Sequence, residues 1–353
     1  MKRGKKILLG AVATVLLVVC AYVIYVLVDY HRIGNHVIAV SGEGETAQVG
    51  TPYSVISYNI GFAAYTPDFG FFMDGGTESR AASKESVERV TGEIADFLQA
   101  QDADFLMVQE VDVDATRSHH VDECARLRWA LEDYGTVFAL NYDSPYLFYP
   151  ILEPHGKSTA GMLTASRFAM IDARRVELPI EENFYKFLDL DRCYTICRVP
   201  VENGRELVLY TVHLSAYTSD GTVATEQLQQ LLEDMQGEYE AGNYVVCGGD
   251  FNKDMLGDSS AVFGVSGEEY TWAQPLPTEL MAGTGIRVPE YDLEHPVPSC
   301  RNADAPYHEG QFVLTVDGFL VSENVETEPV RVLDTGFAWS DHNPVELRFT
   351  LMD

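Results

Sequence analysis

The sequence predicts a layered α/β domain carried behind a single membrane-spanning helix, and three observations predict it. The first 28 residues contain an uncharged apolar run. The remaining chain alternates β-rich segments with amphipathic helical ones, the pattern of sheets covered by helices. Several of the apolar segments end in a polar residue able to bind metal or phosphate, which places a site along one edge of the sheets. The 353 residues carry 24 Lys and Arg against 54 Asp and Glu, a net charge of −30, but 46% hydrophobic and 11% aromatic content is too apolar for a disordered acidic chain.

Ile7 to Val28 are 22 consecutive uncharged residues, preceded by Lys2, Arg3, Lys5 and Lys6 and followed by Asp29. A helix of that length reaches about 33 Å, enough for a hydrocarbon core of roughly 30 Å. The basic flank predicts a cytoplasmic N-terminus with the rest of the chain exported. A cleaved signal would have a shorter apolar core, about 7–15 residues, ending at a small-x-small site; Tyr22 to Val28 is bulky throughout. Residues 1–29 are therefore read as a cytoplasmic stub and signal anchor, 30–52 (with SGEGETAQVGTP) as a linker, and 53–353 as the exported domain.

The expected strands are YSVISYNI, FLMVQEV, TVFALNY, GMLTASRF, CYTICRVPV, LVLYTVHL, YVVCGGDF, FVLTVDGFLV and PVELRFTL. Val87, Val90, Ile94, Phe97 and Leu98 make one helical stripe, and Leu228, Leu231, Leu232 and Met235 another. The Gly- and Pro-containing stretch from Leu256 to Gly310 reads as a long loop region. Outside the span lie five cysteines, an odd number. Cys193 and Cys197 are four apart in an expected strand, about 13 Å, too far for a disulfide, and no Cys/His spacing fits zinc.

The strand ends hold the chemistry. SVISYNIG presents Asn59, FLMVQEV Glu110, LVLYTVHL His213, YVVCGGDFN Asp250 and Asn252, TVDGF Asp317, and AWSDHNP Asp341 and His342. Singly, each has a structural explanation: Asn59 as a turn residue, Glu110 as a solvated strand end, His213 as a core histidine. Together they form an order of motifs, SYNI, QE, HL, GDFN, a late strand with an Asp, and SDH. This order resembles the endonuclease/exonuclease/phosphatase superfamily, which includes deoxyribonuclease I, abasic-site endonucleases, neutral sphingomyelinases and inositol polyphosphate 5-phosphatases. GDFN and SDH are the specific pieces.

The resemblance implies a four-layer α/β sandwich of two packed mixed sheets flanked by helices, with a metal-dependent phosphoesterase site at one edge. It implies Glu110, Asn59 and Asp341 as direct or water-mediated ligands of Mg²⁺, with Mn²⁺ as the alternative. Asp250 would orient or deprotonate water, Asn252 contact the phosphate, and His213 donate to a phosphate oxygen or the leaving group. His342 would be backed by Asp317. These residue types suit the reaction: a hard cation takes oxygen ligands, and charge gathering on phosphoryl oxygens needs donors. Arg167 in GMLTASRF sits where relatives often have a Ser-Arg pair and is as readily structural. Phe71–Gly76, Tyr142–Tyr149 and Cys300–Tyr307 are candidate pocket loops, and His119 and His120 read as an exposed, incidental pair.

Charge bears on the substrate. Beyond residue 32, 19 basic residues face 53 acidic ones, leaving −34, and duplex nucleic acid binding wants the opposite sign. A small phosphoester or a phospholipid headgroup is the expected substrate and a monomer the expected state. The alternatives are an exported nuclease of the same superfamily, or an inactive membrane-anchored binding protein with this fold. No second hydrophobic hairpin for lipid insertion is apparent in the sequence.

Overall fold

The computed structural model describes residues 2–42, 44–187, 189–216, 221–266 and 274–353. Its longer elements, in chain order, are α1 (Lys2–Asp29), β1 (Pro52–Asn59), α2 (Lys84–Gln101), β2 (Phe105–Ala115), α3 (Glu123–Ala130), β3 (Gly135–Asp143), β4 (Ser158–Ser166), β5 (Asp172–Glu177), β6 (Cys193–Pro200), β7 (Glu206–His213), α4 (Thr222–Glu240), β8 (Tyr244–Asp250), β9 (Asp317–Ser322) and β10 (Val345–Leu351). One sheet runs Val325–Thr327, β10, β1, β2, β4, β3; the other runs His36–Val37, β5, β6, β7, β8, β9, Ile286–Arg287. Each contains one parallel pair, β1 with β2 and β7 with β8. A parallel pair needs a crossover, and α2 and α4 supply the two.

The layers follow from side-chain alternation. In β2, Phe105 and Met107 enter the core between the sheets while Leu106 and Val108 face α2 and α3. In β7, Leu207 and Leu209 point into the same central core and Val208, Tyr210 and Val212 pack under α4. In β10, Val345, Leu347, Phe349 and Leu351 all face inward, a period of two. The order is therefore helix, sheet, sheet, helix, the predicted four-layer sandwich of mixed sheets. The expected stripes are the buried faces of α2 and α4. Ser83 caps α2 by accepting from Ser86 N at 3.1 Å, and Asp102 ends it in the left-handed region, φ 56°.

Five local features differ from expectation. β5 (DARRVE) carries too much charge to read as a strand, yet Arg175 is fully buried because Leu140 O, Ile33 O and Asp191 O accept from its guanidinium. α3 has little amphipathic pattern and is set by its cap, Ala125 N donating to Asp122 at 2.8 Å. FVLTVDGFLV is two strands: Val313–Leu314 pairs with Cys300–Arg301, and β9 begins afresh at Asp317. The stretch 256–310 is mainly loop but holds a short helix, Ser259–Phe263, and Ile286–Arg287; its residues 267–273 lie outside the described ones. Residues 30–52, read as a linker, lie along the sandwich through bridges of Ser41 to Thr136, Glu45 to Phe168 and Ala47 to Val201. They form a strap rather than a free spacer, and their isolated bridges leave no periodic signature. All six cysteines are free and only Cys20 is exposed.

Candidate active site

Strand register assembles the site. Asp250 is opposite His213 across the parallel β7–β8 pair and opposite Asp317 across β8–β9, so three of the expected residues sit abreast at one sheet edge. Asn59 ends β1 beside Gln109, and Glu110 follows where the β2–β4 register slips between Val108 and Val111. A bulge of this kind re-aims a side chain. Glu110 takes φ 55° there, and Asn252, just past β8, takes φ 50°; such left-handed residues cluster at functional sites.

The side chains converge. Asn59 Nδ2 donates to Glu110 Oε1 and to Asp250 Oδ2, both at 3.1 Å, while Asn59 Oδ1 accepts from Gly61 N at 3.0 Å. His213 Nε2 is 3.6 Å from Asp250 Oδ2 and 4.0 Å from Glu110 Oε1. His342 Nε2 approaches the same Asp250 oxygen at 3.8 Å, and its Nδ1 is bonded to Asp317 Oδ2 at 2.8 Å. Ser299 Oγ also donates to Asp317 Oδ2, at 2.7 Å. Asn252 N donates to Asp250 Oδ1 and its Nδ2 to Leu214 O, both at 2.8 Å. Ser340 Oγ donates to Asn59 O at 2.8 Å and fixes the turn that presents Asp341 and His342.

These groups lie in or directly behind a cleft of about 200 Å³, lined among others by Glu110, His213, Asp250, Asn252, Asp341 and His342. Asn59 and Asp317 are each 1% exposed and stand behind it. Asn59 thus ties Glu110 to Asp250 through its NH₂ group, while Gly61 N–H takes one of the two lone pairs of its oxygen. The predicted pocket loops contribute Phe71, Met73, Asp74, Tyr142 and Cys300 to Ala303. Arg167 is elsewhere, paired with Asp102, and His119 and His120 bond Ala81 O and Asp114.

Burial divides the proton affinities. It pushes the Asp250 carboxyl up to about 7, helped by the Asp317 charge and opposed by His342, and raises Glu110, with Asp341 adding and Arg117 opposing. Burial, then the Arg192 and His342 charges, hold His213 well below the ordinary imidazole range. His342 is held well above it: burial opposes, but Asp317 at its Nδ1 prevails. Asp250, Asp317 and His342 place possible ligand atoms within 4.8 Å of one another, with Asp317 Oδ2 bonded to His342 and Ser299. Glu110 and Asp341 also face the cleft, carboxylates of the kind a hard cation takes, while Arg117 is paired with Asp112 at 2.8 Å.

A sequence model of the endonuclease/exonuclease/phosphatase family matches residues 56–342. The chain belongs to that family. Its members act as phosphoester hydrolases. Solved structures share the fold: an endonuclease/exonuclease/phosphatase from Beutenbergia cavernae DSM 12333 is 19% identical, with 85% of this chain and 72% of that one covered and a TM-score of 0.57. ANGEL2, a 2',3'-cyclic phosphatase, in complex with adenosine-2',3'-vanadate, is 17% identical over 89% of this chain and 98% of that one, TM-score 0.56. The human Nocturnin catalytic domain with bound sulfate is 16% identical over 89% and 97%, TM-score 0.54. No curated protein sequence matches the chain.

Sequence reasoning missed the cations and imidazole of the cleft wall: Arg117, Arg192 and His155. Arg117 lies against the Phe62 ring at 4.0 Å, and nothing in QEVDVDATR separates it from a surface arginine. Burial, with Arg117 and Arg80, pushes His155 down to about 3. An unfolded histidine binds its proton near pH 6.5, so His155 costs stability as pH falls from there toward 3, about 1.4 kcal/mol per pH unit. Between pH 7 and 5, urea unfolding of the full chain should show about 2 kcal/mol more loss for wild type than for His155→Asn. Equal losses would show that the imidazole is protonated in the fold.

Proposed function

We propose that the protein is a divalent-metal-dependent phosphoesterase. On this reading it hydrolyses a small or lipid-derived phosphodiester or phosphomonoester outside the cytoplasm, by in-line attack of water. The observation that carries the proposal is the convergence in one cleft of Glu110 and Asp341, a carboxyl tuned to about 7 on Asp250, and two histidines of opposite proton affinity.

Glu110 and Asp341, with Asn59 directly or through water, would hold Mg²⁺ or Mn²⁺, which would supply Lewis-acid stabilisation of charge on the phosphoryl oxygens. Asp250 orients the attacking water and takes its proton, an assignment supported by its tuned carboxyl. His342, kept cationic by Asp317, donates from Nε2 to a phosphate oxygen. His213, kept neutral, donates to another phosphate oxygen or to the leaving group. Asn252 offers its remaining amide hydrogen to the phosphate, and Asn59 keeps Glu110 and Asp250 in place. A cleft of about 200 Å³ admits a phosphate with a small substituent and supports a small or headgroup-sized ester over a duplex, as does the acidic surface.

α1 is one helix long and apolar enough to cross a membrane. We read it as an uncleaved anchor with the N-terminus cytoplasmic, supported by its basic flank. High-salt washing removes only electrostatic attachment, so the full-length product should stay in the membrane fraction. A soluble product beginning near Tyr30 would identify a cleaved signal.

The catalytic test is hydrolysis of bis(p-nitrophenyl) phosphate with Mg²⁺ or excess chelator, with sphingomyelin and plasmid DNA as parallel substrates. Activity should vanish in chelator. Glu110→Gln keeps the shape but removes the charge that holds the cation, so the Mg²⁺ concentration for half activity should rise at least about tenfold. Full activity in chelator would overturn the metal reading.

A further inference from the structure

We infer that the loop Tyr146–Leu152 enters the outer face of the bilayer that α1 crosses, making a second membrane contact that seats the mouth of the active-site cleft at the headgroup layer; this rests on α1 being a membrane anchor. The loop carries four strongly exposed apolar side chains, Phe148 at 56%, Tyr149 at 67%, Ile151 at 83% and Leu152 at 101%. A contiguous apolar surface of this kind in water marks an interaction site, and its neighbour identifies the partner.

That neighbour is the end of α1. Tyr22 Oη donates to Tyr146 O at 2.9 Å, and Tyr146 N donates to Tyr25 Oη at 3.0 Å. The Phe148 ring meets the Tyr22 ring edge-on at 5.1 Å, and Lys157 Nζ reaches Asp29 at 3.4 Å. Depth then follows from arithmetic. Tyr25 and Tyr22 precede Val28, the last residue of the uncharged run, by three and six residues, which is about 5–9 Å along the helix. A span from Ile7 puts both tyrosines at the outer edge of a roughly 30 Å core, where aromatic rings with polar tips collect. Whatever touches these two rings is at the same depth. The loop therefore cannot stay in water while α1 spans.

The same loop borders the cleft. The Tyr149 ring lies tilted against Phe72, ring centroids 5.7 Å apart, and Tyr149 O accepts from His155 N at 3.1 Å. His155, Phe71 and Met73 line the cleft, and Met73 is 59% exposed. The sequence alone hid this element because YLFYPIL is too short for a hairpin signal, and Tyr142–Tyr149 reads as a pocket loop. The acidic surface of the domain selects a zwitterionic rather than an anionic lipid face.

The test uses the full chain in dioleoylphosphatidylcholine vesicles with and without chain-brominated phosphatidylcholine, whose bromines quench tryptophan on contact. Leu152→Trp adds a reporter at the loop tip and Leu17→Trp one inside α1, each read against the native tryptophans of wild type. Both added signals should be blue-shifted and fall several-fold in brominated vesicles. Quenching at position 17 but not at 152 would overturn the loop contact while leaving the anchor intact. Quenching at neither position would overturn the anchor reading and this inference with it. Because the readout needs no turnover, loss of the phosphoesterase reading would leave the result standing, and failure to hydrolyse bis(p-nitrophenyl) phosphate would register that loss separately.

Discussion

Replacing His342 by alanine should lower turnover by about 10²–10⁴-fold, the usual contribution of a placed acid–base group. Asp317→Asn should cost a smaller but still large factor. Asp317 Oδ2 at 2.8 Å from Nδ1 fixes the imidazole tautomer and turns Nε2 toward the cleft. Binding of substrate should suffer less, so kcat falls more than KM rises. The two variants separate further with pH. Because Asp317 overcomes burial to keep His342 protonated, Asn in its place lets the imidazole lose its proton at lower pH, and the alkaline limb of the activity profile should move downward. Stability gives the control. His342→Ala leaves a buried carboxylate with Ser299 as its side-chain partner among the described residues, and its Oδ1 already has none, so a loss of about 3 kcal/mol is expected. Near-normal turnover per folded molecule, with only the melting temperature reduced, would make the pair structural. Recovery of His342→Ala activity by added imidazole would show that the ring itself acts.

Legibility of the fold followed apolar content. β1, β2, β7, β8 and β10 announce themselves because their cores are runs of Val, Ile, Leu, Tyr and Phe, and α2 and α4 because their buried positions recur at helical spacing. β5 is invisible by the same logic, since Arg175 is buried by hydrogen bonds to three backbone oxygens, a long-range solution that no local pattern records. The break between Leu314 and Asp317 is set by Ser299, whose Oγ accepts from Val316 N and Asp317 N across 17 or more residues. For the site, the strand-end residues could be read because each follows an apolar run. What could not be read was their division of labour. Only the register shows that Asp250 is flanked by His213 and Asp317, and only the hydrogen bonds of its amide show that Asn59 ties Glu110 to Asp250. Arg117 was missed for the reason β5 was: its importance comes from burial against Phe62 and Asp112, not from its sequence neighbours.

Asp250→Asn should separate activity from stability in the opposite direction to His342→Ala. Removing the group that takes the proton from water should cost about 10³-fold or more in turnover. Stability in cation-free buffer should rise, because burial pushes the Asp250 carboxyl up to about 7, with Asp317 adding to it. A folded value above the unfolded one, near 3.9, means the charged form is penalised in the fold, so stability is lost as pH climbs from 4 toward 7, by roughly 4 kcal/mol at most. The substitution relieves that penalty. The amide either keeps the bond from Asn252 N and turns its NH₂ toward Asn59 Nδ2, or keeps the bond from Asn59 and turns its NH₂ toward Asn252 N, losing one hydrogen bond worth about 1 kcal/mol in each case. Relief of the buried charge outweighs the lost hydrogen bond, so the melting temperature of Asp250→Asn in chelator at pH 7 should exceed that of wild type, with the gap closing as pH is lowered to 4. A fold that carries a destabilised carboxylate at the meeting point of two histidines is stressed for function. If the variant instead melts well below wild type in chelator, Asn59 and Asn252 hold the carboxylate more strongly than burial penalises it, and the tuned-base assignment falls.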